Sequence, residues 1–332
     1  MPYKIDSLRI RIYHWVRLLV CCVTLAGCAT PQRAEPPAVI HADAHGGGSV
    51  VAFSQAGELL ASGGWAGTLR LWQLPGGEAL RHWQAHRGTV NGIAFLGGGR
   101  RLLTAGYDGV LAEWGVGGES IRLLATPAPV THMVADTGQD RVLTGHRDGT
   151  VRLWRLADFT LLQEYALHRG AVKAVAIDPG SPRYASSGAD GRVFTWTEAD
   201  APRALADPPS DAWTLAFAPD GRWLLGGGWF RLFRWDLQNT ALTVIPTRHH
   251  GIIKSMQYTA DGKALATISR QTDSAVYFLD PVSGAVTRHF QRHDLCGAYI
   301  AVSADGHYLA TTSDDASVRI WMLGARSGGA AD

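Results

Sequence analysis

The heptapeptide TVRLWRL, Thr150–Leu156, decides the fold, because close variants of it recur along the 332-residue chain. They are TLRLWQL from Thr68, RVFTWTE from Arg192, RLFRWDL from Arg231 and SVRIWML from Ser317. With weaker copies included, one aromatic position recurs as Trp72, Trp114, Trp154, Trp196, Trp235, Phe278 and Trp321. Successive aromatics are 39 to 43 residues apart. A fixed period of this size predicts an array of seven similar supersecondary units.

Each unit contains three or four short apolar runs separated by Gly and Asp, the pattern of strands joined by hairpin turns. The 39 Gly and 12 Trp residues suit a turn-rich β protein better than a helical one. Runs such as TVRLW do not alternate cleanly between apolar and polar residues. We therefore expect both faces of each small sheet to be covered, as when sheets stack around an axis.

Three units share a second pattern, in which His lies 28 residues, Ser or Thr ten and Asp six before the Trp. The three sets are His86, Thr104, Asp108 and Trp114; His168, Ser186, Asp190 and Trp196; and His293, Thr311, Asp315 and Trp321. With this pattern and period, residues 38–323 resemble the WD-repeat β-propeller family. The resemblance implies an all-β fold, a seven-bladed β-propeller of four-stranded antiparallel blades.

Ser, His and Asp together also occur in hydrolases, but a catalytic triad occurs once per site, whereas this set recurs at fixed spacing. We interpret the sets as structural tetrads in which Trp, the hydroxyl, His and Asp satisfy one another's hydrogen bonds. The other units are eroded: Ala66 occupies the Asp place of the first, no His is in register in the third, and Leu225 and Trp229 replace hydroxyl and Asp in the fifth. The sixth keeps His250 but has Phe278 for Trp.

The stretch AVIHADAH, Ala38–His45, reads as the fourth strand of a unit that lacks its first three. The seventh unit stops after its third strand, because residues 324–332 have little strand character and are expected to form a flexible tail. We predict that residues 39–43 pair with the strand containing Trp321. This N-terminal strand would complete the last blade, close the ring and leave no exposed edge.

Residues 1–27 have a basic start and the short apolar run Leu18–Gly27, as in a secretory signal peptide. The run ends in Leu25–Cys28, LAGC, which resembles the bacterial lipobox. The resemblance implies lipid attachment at Cys28, with residues 28–37 as a Pro- and Ala-containing tether. Cleavage would remove four of 31 basic and one of 29 acidic residues, leaving a formal charge of about −1. This charge gives no indication of nucleic-acid binding.

Two sets of surface residues are candidate partner-binding sites. The residue before the turn Asp maps to Trp65, Tyr107 and Arg147 in consecutive units, and such residue types are enriched in binding hot spots. The alternative is that Trp65 packs under a neighbouring loop. Positions in the first strands, expected at the mouth of the central channel, are Asn91, Lys173, Trp213 and Lys254, with Cys296 in the last unit.

No metal or cofactor motif is evident, because His249 with His250, and His289 with His293, lack further ligands at suitable spacing. We expect a monomeric, non-catalytic scaffold that binds other proteins and is lipid-anchored in a bacterial envelope. Ala29 after the cysteine favours the periplasmic side of an outer membrane, by resemblance to lipoproteins. The alternatives are an enzyme or small-ligand binder at the channel mouth, and an envelope protein that contacts peptidoglycan or sugars through exposed Trp.

Overall fold

A computed structural model describes residues 33–271 and 273–324, and from Glu35 onward these belong to one compact unit. The predicted signal peptide, Cys28 and the tail beyond Gly324 lie outside the described residues. Within the described ranges, 28 strands form seven four-stranded antiparallel sheets, which confirms the predicted propeller of seven blades.

Blades 1 to 3 take their four strands consecutively from the chain. Blade 1 contains β2 (Gly48–Phe53), β3 (Leu59–Gly64), β4 (Thr68–Gln73) and β5 (Glu78–Gln84). Blade 2 contains β6 (Val90–Leu96), β7 (Arg101–Gly106), β8 (Val110–Gly115) and β9 (Ser120–Ala125), with a 3-10 turn at Gly97–Gly99. Blade 3 contains β10 (Val130–Asp136), β11 (Arg141–His146), β12 (Thr150–Arg155) and β13 (Leu161–Ala166).

Blades 4 to 6 follow the same plan, and blade 7 combines both ends of the chain. Blade 4 contains β14 (Val172–Ile177), β15 (Arg183–Gly188), β16 (Val193–Thr197) and β17 (Arg203–Ala204). Blade 5 contains β18 (Thr214–Phe217), β19 (Trp223–Gly227), β20 (Arg231–Asp236) and β21 (Leu242–Pro246). Blade 6 contains β22 (Ile252–Tyr258), β23 (Leu265–Arg270), β24 (Val276–Leu279) and β25 (Val286–Phe290). Blade 7 contains β26 (Gly297–Val302), β27 (Tyr308–Ser313), β28 (Val318–Met322) and β1 (Val39–His41).

The ring closes as the sequence predicts. β1 pairs antiparallel with β28, where Val39 lies opposite Ile320 and His41 opposite Val318. The first strands of neighbouring blades contact one another in order, and β26 of blade 7 contacts β2 of blade 1. Blade 7 is therefore completed by the N-terminal strand.

The core consists of seven apolar layers, one between each pair of neighbouring blades. Between blades 1 and 2, for example, Leu69 packs in the same cluster as Leu102 and Trp114. Because each sheet contributes to a layer on both sides, its central strands need apolar residues on both faces. This explains why TVRLW and its variants do not alternate.

Glycine makes the tight turn between the second and third strands. Gly67 and Gly149 adopt φ of +83° and +85°, a region in which a side chain is strained. A Cβ at these glycines would lie 2.0 Å from the carbonyl oxygen of His86 and 2.1 Å from that of His168. Only glycine lets the turn approach the loop that enters the next blade.

Glu35, within the predicted tether, makes contacts that the sequence did not predict, which we call the clasp. Its backbone N–H donates to the His289 carbonyl at 2.8 Å, and its own carbonyl accepts from the Gln291 N–H at 2.8 Å. Its carboxylate accepts two hydrogen bonds from Arg288, at 2.7 and 3.0 Å. The indole N–H of Trp321 also donates to the Glu35 carbonyl, at 3.0 Å. The clasp therefore joins the chain before β1 to blades 6 and 7.

Candidate functional site

The tetrad of blade 2 is complete. The Trp114 indole N–H donates to the Thr104 hydroxyl at 2.9 Å, and the Thr104 oxygen lies 2.7 Å from Nε2 of His86. Nδ1 of His86 donates to the Asp108 carboxylate at 3.0 Å. Burial lowers the pKa of His86 despite this carboxylate, so the imidazole is neutral at pH 7. Each polar group is satisfied by its neighbour, as the structural interpretation requires.

The other two predicted tetrads keep the hydroxyl, His and Asp but lose the Trp hydrogen bond. His168 lies 2.9 Å from the Ser186 oxygen and 3.0 Å from Asp190, yet the indole nitrogen of Trp196 has no partner among the described residues. In blade 7, His293 lies 2.7 Å from Thr311 and 3.0 Å from Asp315. Its Trp321 donates to Glu35 instead. The prediction of a four-membered chain was therefore wrong for Trp196 and Trp321.

Two eroded blades contain histidines that the spacing missed. In blade 3, His146 lies on β11 itself, and its Nε2 is 2.8 Å from the Thr144 oxygen that also accepts from Trp154. In blade 6 the buried residue is His249, 2.9 Å from the Thr267 oxygen. The expectation of His250 in that role was wrong by one residue. His249 lies 18 residues before its hydroxyl, as the intact units require.

The burial of the hydroxyls supports a structural role for these sets. Ser62, Thr104, Thr144, Ser186, Thr267 and Thr311 are all 0% exposed. A catalytic nucleophile must contact its substrate. These hydroxyls are fully enclosed in a packed layer and do not reach the surface.

The three residues before the turn Asp lie on one face of the ring, at the turns between second and third strands; we call it the turn face. Trp65 is 44% and Tyr107 39% exposed, and Arg147 is exposed with its guanidinium 5.8 Å from the Tyr107 ring centre. Trp65 lies against the backbone of Gly47, where a Cβ would come within 2.6 Å of the indole. Its outer side remains exposed. Trp65 is therefore supported by a loop but not covered by it.

A bulge in the first strand places side chains at the mouth of the channel on the turn face. In blade 2, Val90 pairs with Gly106 and Gly92 with Ala105, so Asn91 is the extra residue. The same register shift makes Lys173 and Lys254 the extra residues of β14 and β22. A cavity of about 180 Å³ at this mouth is lined by Trp65, Asn91, Trp213, Lys254 and Arg270, among others.

The extra residue of β26 is Ala298 and not Cys296, since the shift falls between Gly297 and Tyr299. Cys296 lies two residues earlier, where its carbonyl accepts from the Asp314 N–H. Its expected place at the channel mouth was therefore wrong, because the alignment of this blade was two residues out.

The channel-mouth side chains differ in how they are satisfied. The Asn91 amide donates to the Val130 carbonyl at 2.8 Å, linking blades 2 and 3. The Lys173 ammonium pairs with Asp211 and lies 3.8 Å from the Trp213 ring centre. The Lys254 ammonium lies 5.5 Å from the same ring. It makes no hydrogen bond or ion pair with another residue of the described part of the chain.

Burial and the nearby charges of Arg270 and Lys173 lower the pKa of Lys254 to about 8, against the opposing effect of Asp314. Deeper in the channel, His132 and Tyr299 lie with ring centres 6.4 Å apart. Both line the mouth cavity and a second cavity below it. Burial lowers the pKa of His132 to about 4, so it carries no charge at pH 7. The imidazole of His132 therefore adds no charge to the mouth cavity.

Sequence reasoning missed two features of the turn face. Trp229 and Phe230, 36% and 44% exposed, form a ring pair at the turn between β19 and β20. Arg270 reaches the channel mouth from the end of β23. Trp229 was visible as the residue in the place of the turn Asp, and its replacement of a tetrad member could have marked it as a surface aromatic. No comparable signal in the sequence marks Arg270.

Among residues 33–271 and 273–324, no group of three or more His, Cys, Asp or Glu is arranged to hold a metal ion. The same ranges contain no helix long and apolar enough to cross a membrane.

A closed ring of seven four-stranded blades, with recurring His–hydroxyl–Trp contacts between its strands, defines a β-propeller of the repeat type. The profile of the WD domain, G-beta repeat matches residues 39–73, 77–114, 118–155, 159–197 and 285–322, more than half of the chain. The chain belongs to the WD-repeat family. Blade 5 and most of blade 6 lie outside the matches. Blade 5 has Leu225 and Trp229 at the hydroxyl and Asp positions, and blade 6 has Phe278 at the Trp position.

Three similar proteins illustrate the range of relatives. Pre-mRNA-processing factor 17 of Mus musculus is 27% identical over 52% of this chain and 31% of its own. Striatin-4 of Homo sapiens is 23% identical over 72% of this chain and 36% of its own. DDB1- and CUL4-associated factor 13 of Danio rerio is 23% identical over 80% of this chain and 61% of its own. The chain thus spans less than two thirds of each of these relatives.

Proposed function

We propose that this protein is a non-catalytic scaffold that binds a protein partner on the turn face. One observation carries the proposal: Trp65, Tyr107 and Arg147 are exposed on consecutive blades of that face, beside the channel-mouth cavity. Large aromatic and Arg side chains supply much of the binding energy in protein interfaces. Each of them lies in a short turn between two paired strands of the closed ring, which lowers the entropy lost on binding.

The relatives support this class of function. DDB1- and CUL4-associated factor 13 is, by its name, an associate of two other proteins. Fold alone does not define function, so the proposal for this chain depends on its own exposed residues.

The test is cross-linking in intact cells followed by mass spectrometry. The variant carries Trp65→Ala, Tyr107→Ala and Arg147→Ala together. The control carries Ile121→Ala, Leu123→Ala and Val282→Ala, which remove exposed apolar side chains elsewhere on the ring. We expect a protein partner that the control retains and the turn-face variant loses. Retention by both variants would contradict the proposal. A bound small molecule without any protein partner would favour the alternative of a ligand-binding propeller.

We further propose that the scaffold is anchored by lipid on Cys28 in a bacterial envelope, on the periplasmic side of an outer membrane. The support is the LAGC sequence of Leu25–Cys28 and Ala29 after it. Two or more acyl chains would hold the protein firmly, at about 0.8 kcal/mol per buried CH₂. Mass spectrometry of the N-terminal peptide should show an acylated Cys28, and Cys28→Ala should release the protein from the membrane fraction. An unmodified cysteine would exclude the anchor and leave the turn-face proposal untouched.

A further inference from the structure

The channel mouth has an unbalanced positive charge. Three cations lie at or beside it, of which Lys173 pairs with Asp211 and Arg270 with Asp314 at 2.8 Å. Lys254 has no carboxylate within ion-pair distance in the described part of the chain. The deeper His132 is neutral at pH 7, because burial lowers its pKa to about 4. One positive charge therefore has no carboxylate in ion-pair contact among the described residues.

This charge is held where it costs stability. Trp213 covers one side of Lys254, and the pKa of its ammonium group falls to about 8, which shows that the site disfavours the charged form. An apolar residue at this bulge would avoid the cost, as Ala298 does at the equivalent position of blade 7. A perturbed, unpaired cation in a cavity is an indicator of a binding site.

The mouth cavity by itself is smaller than a typical ligand pocket. Its volume is about 180 Å³, whereas ligand pockets usually enclose roughly 300 to 1,000 Å³. A single side chain of a docked protein fits this size better. The surrounding Trp65 and the nearby Trp213 offer apolar surface to its methylene groups.

We propose that Lys254 and Arg270 receive the carboxylate of an acidic side chain from a protein partner docked on the turn face. The inference rests on the proposed function and adds the chemistry of the partner. The carboxylate supplies the missing negative charge, and Arg270 offers further N–H donors beside Asp314. The charge-assisted hydrogen bonds that result are among the stronger ones in proteins. The bulge that makes Lys254 an extra residue is what places its ammonium group in the cavity.

The test uses the purified full-length protein and a fluorescein-labelled tetraglutamate peptide, with tetraglutamine as the uncharged probe. Lys254→Met removes the charge at nearly constant volume. Lys263→Met is the matched control, because it removes a lysine of the same blade at the turn between β22 and β23, on the opposite face. We expect fluorescence anisotropy to show that the wild type binds tetraglutamine at least tenfold more weakly than tetraglutamate. Lys254→Met should bind tetraglutamate at least tenfold more weakly than the wild type does. Lys263→Met should bind tetraglutamate like the wild type.

Two results would overturn the inference: no tetraglutamate binding at millimolar concentration, or equal affinity for wild type and Lys254→Met. Glutarate alone binding as tightly as the peptide would assign the site to a free dicarboxylate and also overturn it. A cellular partner that is lost with the Trp65, Tyr107 and Arg147 substitutions but kept with Lys254→Met would contradict only this inference. The proposed scaffold function would then stand.

Discussion

At the scale of single residues, the number of hydrogen bonds that each buried hydroxyl makes determines how much its tetrad stabilises the blade. Thr104 accepts from Trp114 and bonds His86, whereas Thr311 bonds only His293 because Trp321 is engaged by Glu35. Both threonines are 0% exposed. The isosteric change Thr104→Val should therefore leave two buried groups, the Trp114 indole N–H and Nε2 of His86, without a hydrogen bond. Thr311→Val should leave only one, Nε2 of His293.

We expect Thr104→Val to lower the free energy of unfolding by about 2–6 kcal/mol and Thr311→Val by about half as much, since each buried group left without a hydrogen bond costs about 1–3 kcal/mol. Chemical denaturation of the two variants measures this difference. Equal losses would contradict the assignment of the Trp114 hydrogen bond.

Lys254 leads to a second prediction at this scale, in the opposite direction. Its pKa is about 8 in the folded protein and near 10.5 in the unfolded chain. Below pH 8 the charge on Lys254 therefore destabilises the folded state relative to the unfolded chain. This destabilisation is lost as the pH rises from 8 to 10.5. We expect Lys254→Met to stabilise the protein by about 1–3 kcal/mol at pH 7. Most of this gain should disappear by pH 10.5.

The measurement is the free energy of unfolding of both proteins at pH 7 and pH 10, with Lys263→Met as the control that changes little. A destabilised Lys254→Met at pH 7 would show that the ammonium group has a favourable partner. If Lys254→Met is more stable than the wild type and also loses tetraglutamate binding, Lys254 contributes to binding at a cost in stability.

The spacing of His, hydroxyl, Asp and Trp predicted the whole set of contacts in blade 2. It failed for Trp196, whose indole N–H has no partner among the described residues although Ser186 belongs to the same repeat. It failed for Trp321, whose acceptor is Glu35, 286 residues away. It also failed for His146, which reaches Thr144 from within the same strand. A repeat pattern describes what units share and is silent on contacts from outside the unit.

At the scale of elements, β1 is the strand on which the ring depends. Without it, β28 would expose its N–H and C=O groups as a sheet edge, which promotes aggregation. We expect deletion of Val39–His41 to lower the midpoint of thermal unfolding and to produce oligomers in size-exclusion chromatography.

Glu35→Ala is the matched control for that deletion. It removes only the carboxylate of the clasp, whose pairing with Arg288 is partly exposed and should contribute at most about 1 kcal/mol. A monomeric deletion variant with an unchanged unfolding midpoint would show that β1 does not close the ring.

The sequence predicted β1 from its strand-like residues and from the missing fourth strand of the last unit. It did not predict the clasp, because a single Glu between Ala34 and Pro36 has no pattern of its own. The sequence did not predict the bulges in which Asn91, Lys173 and Lys254 are the extra residues. Ala298 was missed because the loop before β26 shifts the alignment by two residues.

At the scale of the whole molecule, buried neutral histidines distributed around the ring predict sensitivity to acid. Burial lowers the pKa of His45 and His146 to about 4 and also lowers that of His86, His168, His249 and His293. Below pH 6.5 the unfolded chain takes up these protons and the folded protein does not. Stability is therefore complete above pH 6.5 and is lost as pH falls toward 4.

The unfolding midpoint should fall steadily between pH 6.5 and pH 4. The unfolding midpoint of His146→Gln should fall less steeply with pH than that of the wild type, because the substitution removes one of the titrating groups. An unchanged midpoint across this range would contradict the assignment of neutral buried histidines.

The number of blades and the order of the ring followed from the 39- to 43-residue period alone. The place of Arg270 at the channel mouth did not, because this residue comes from the end of β23 and not from a first strand.

Whether the turn face binds a protein partner is tested by site-specific photo-cross-linking from the two faces of the ring in living cells. A photoreactive amino acid replaces Trp65 or Trp229 on the turn face, or Val282 in the turn between β24 and β25 on the opposite face; all three side chains are exposed. One protein partner should be captured from both turn-face positions and not from Val282. Capture of that partner from Val282 alone would contradict binding at the turn face.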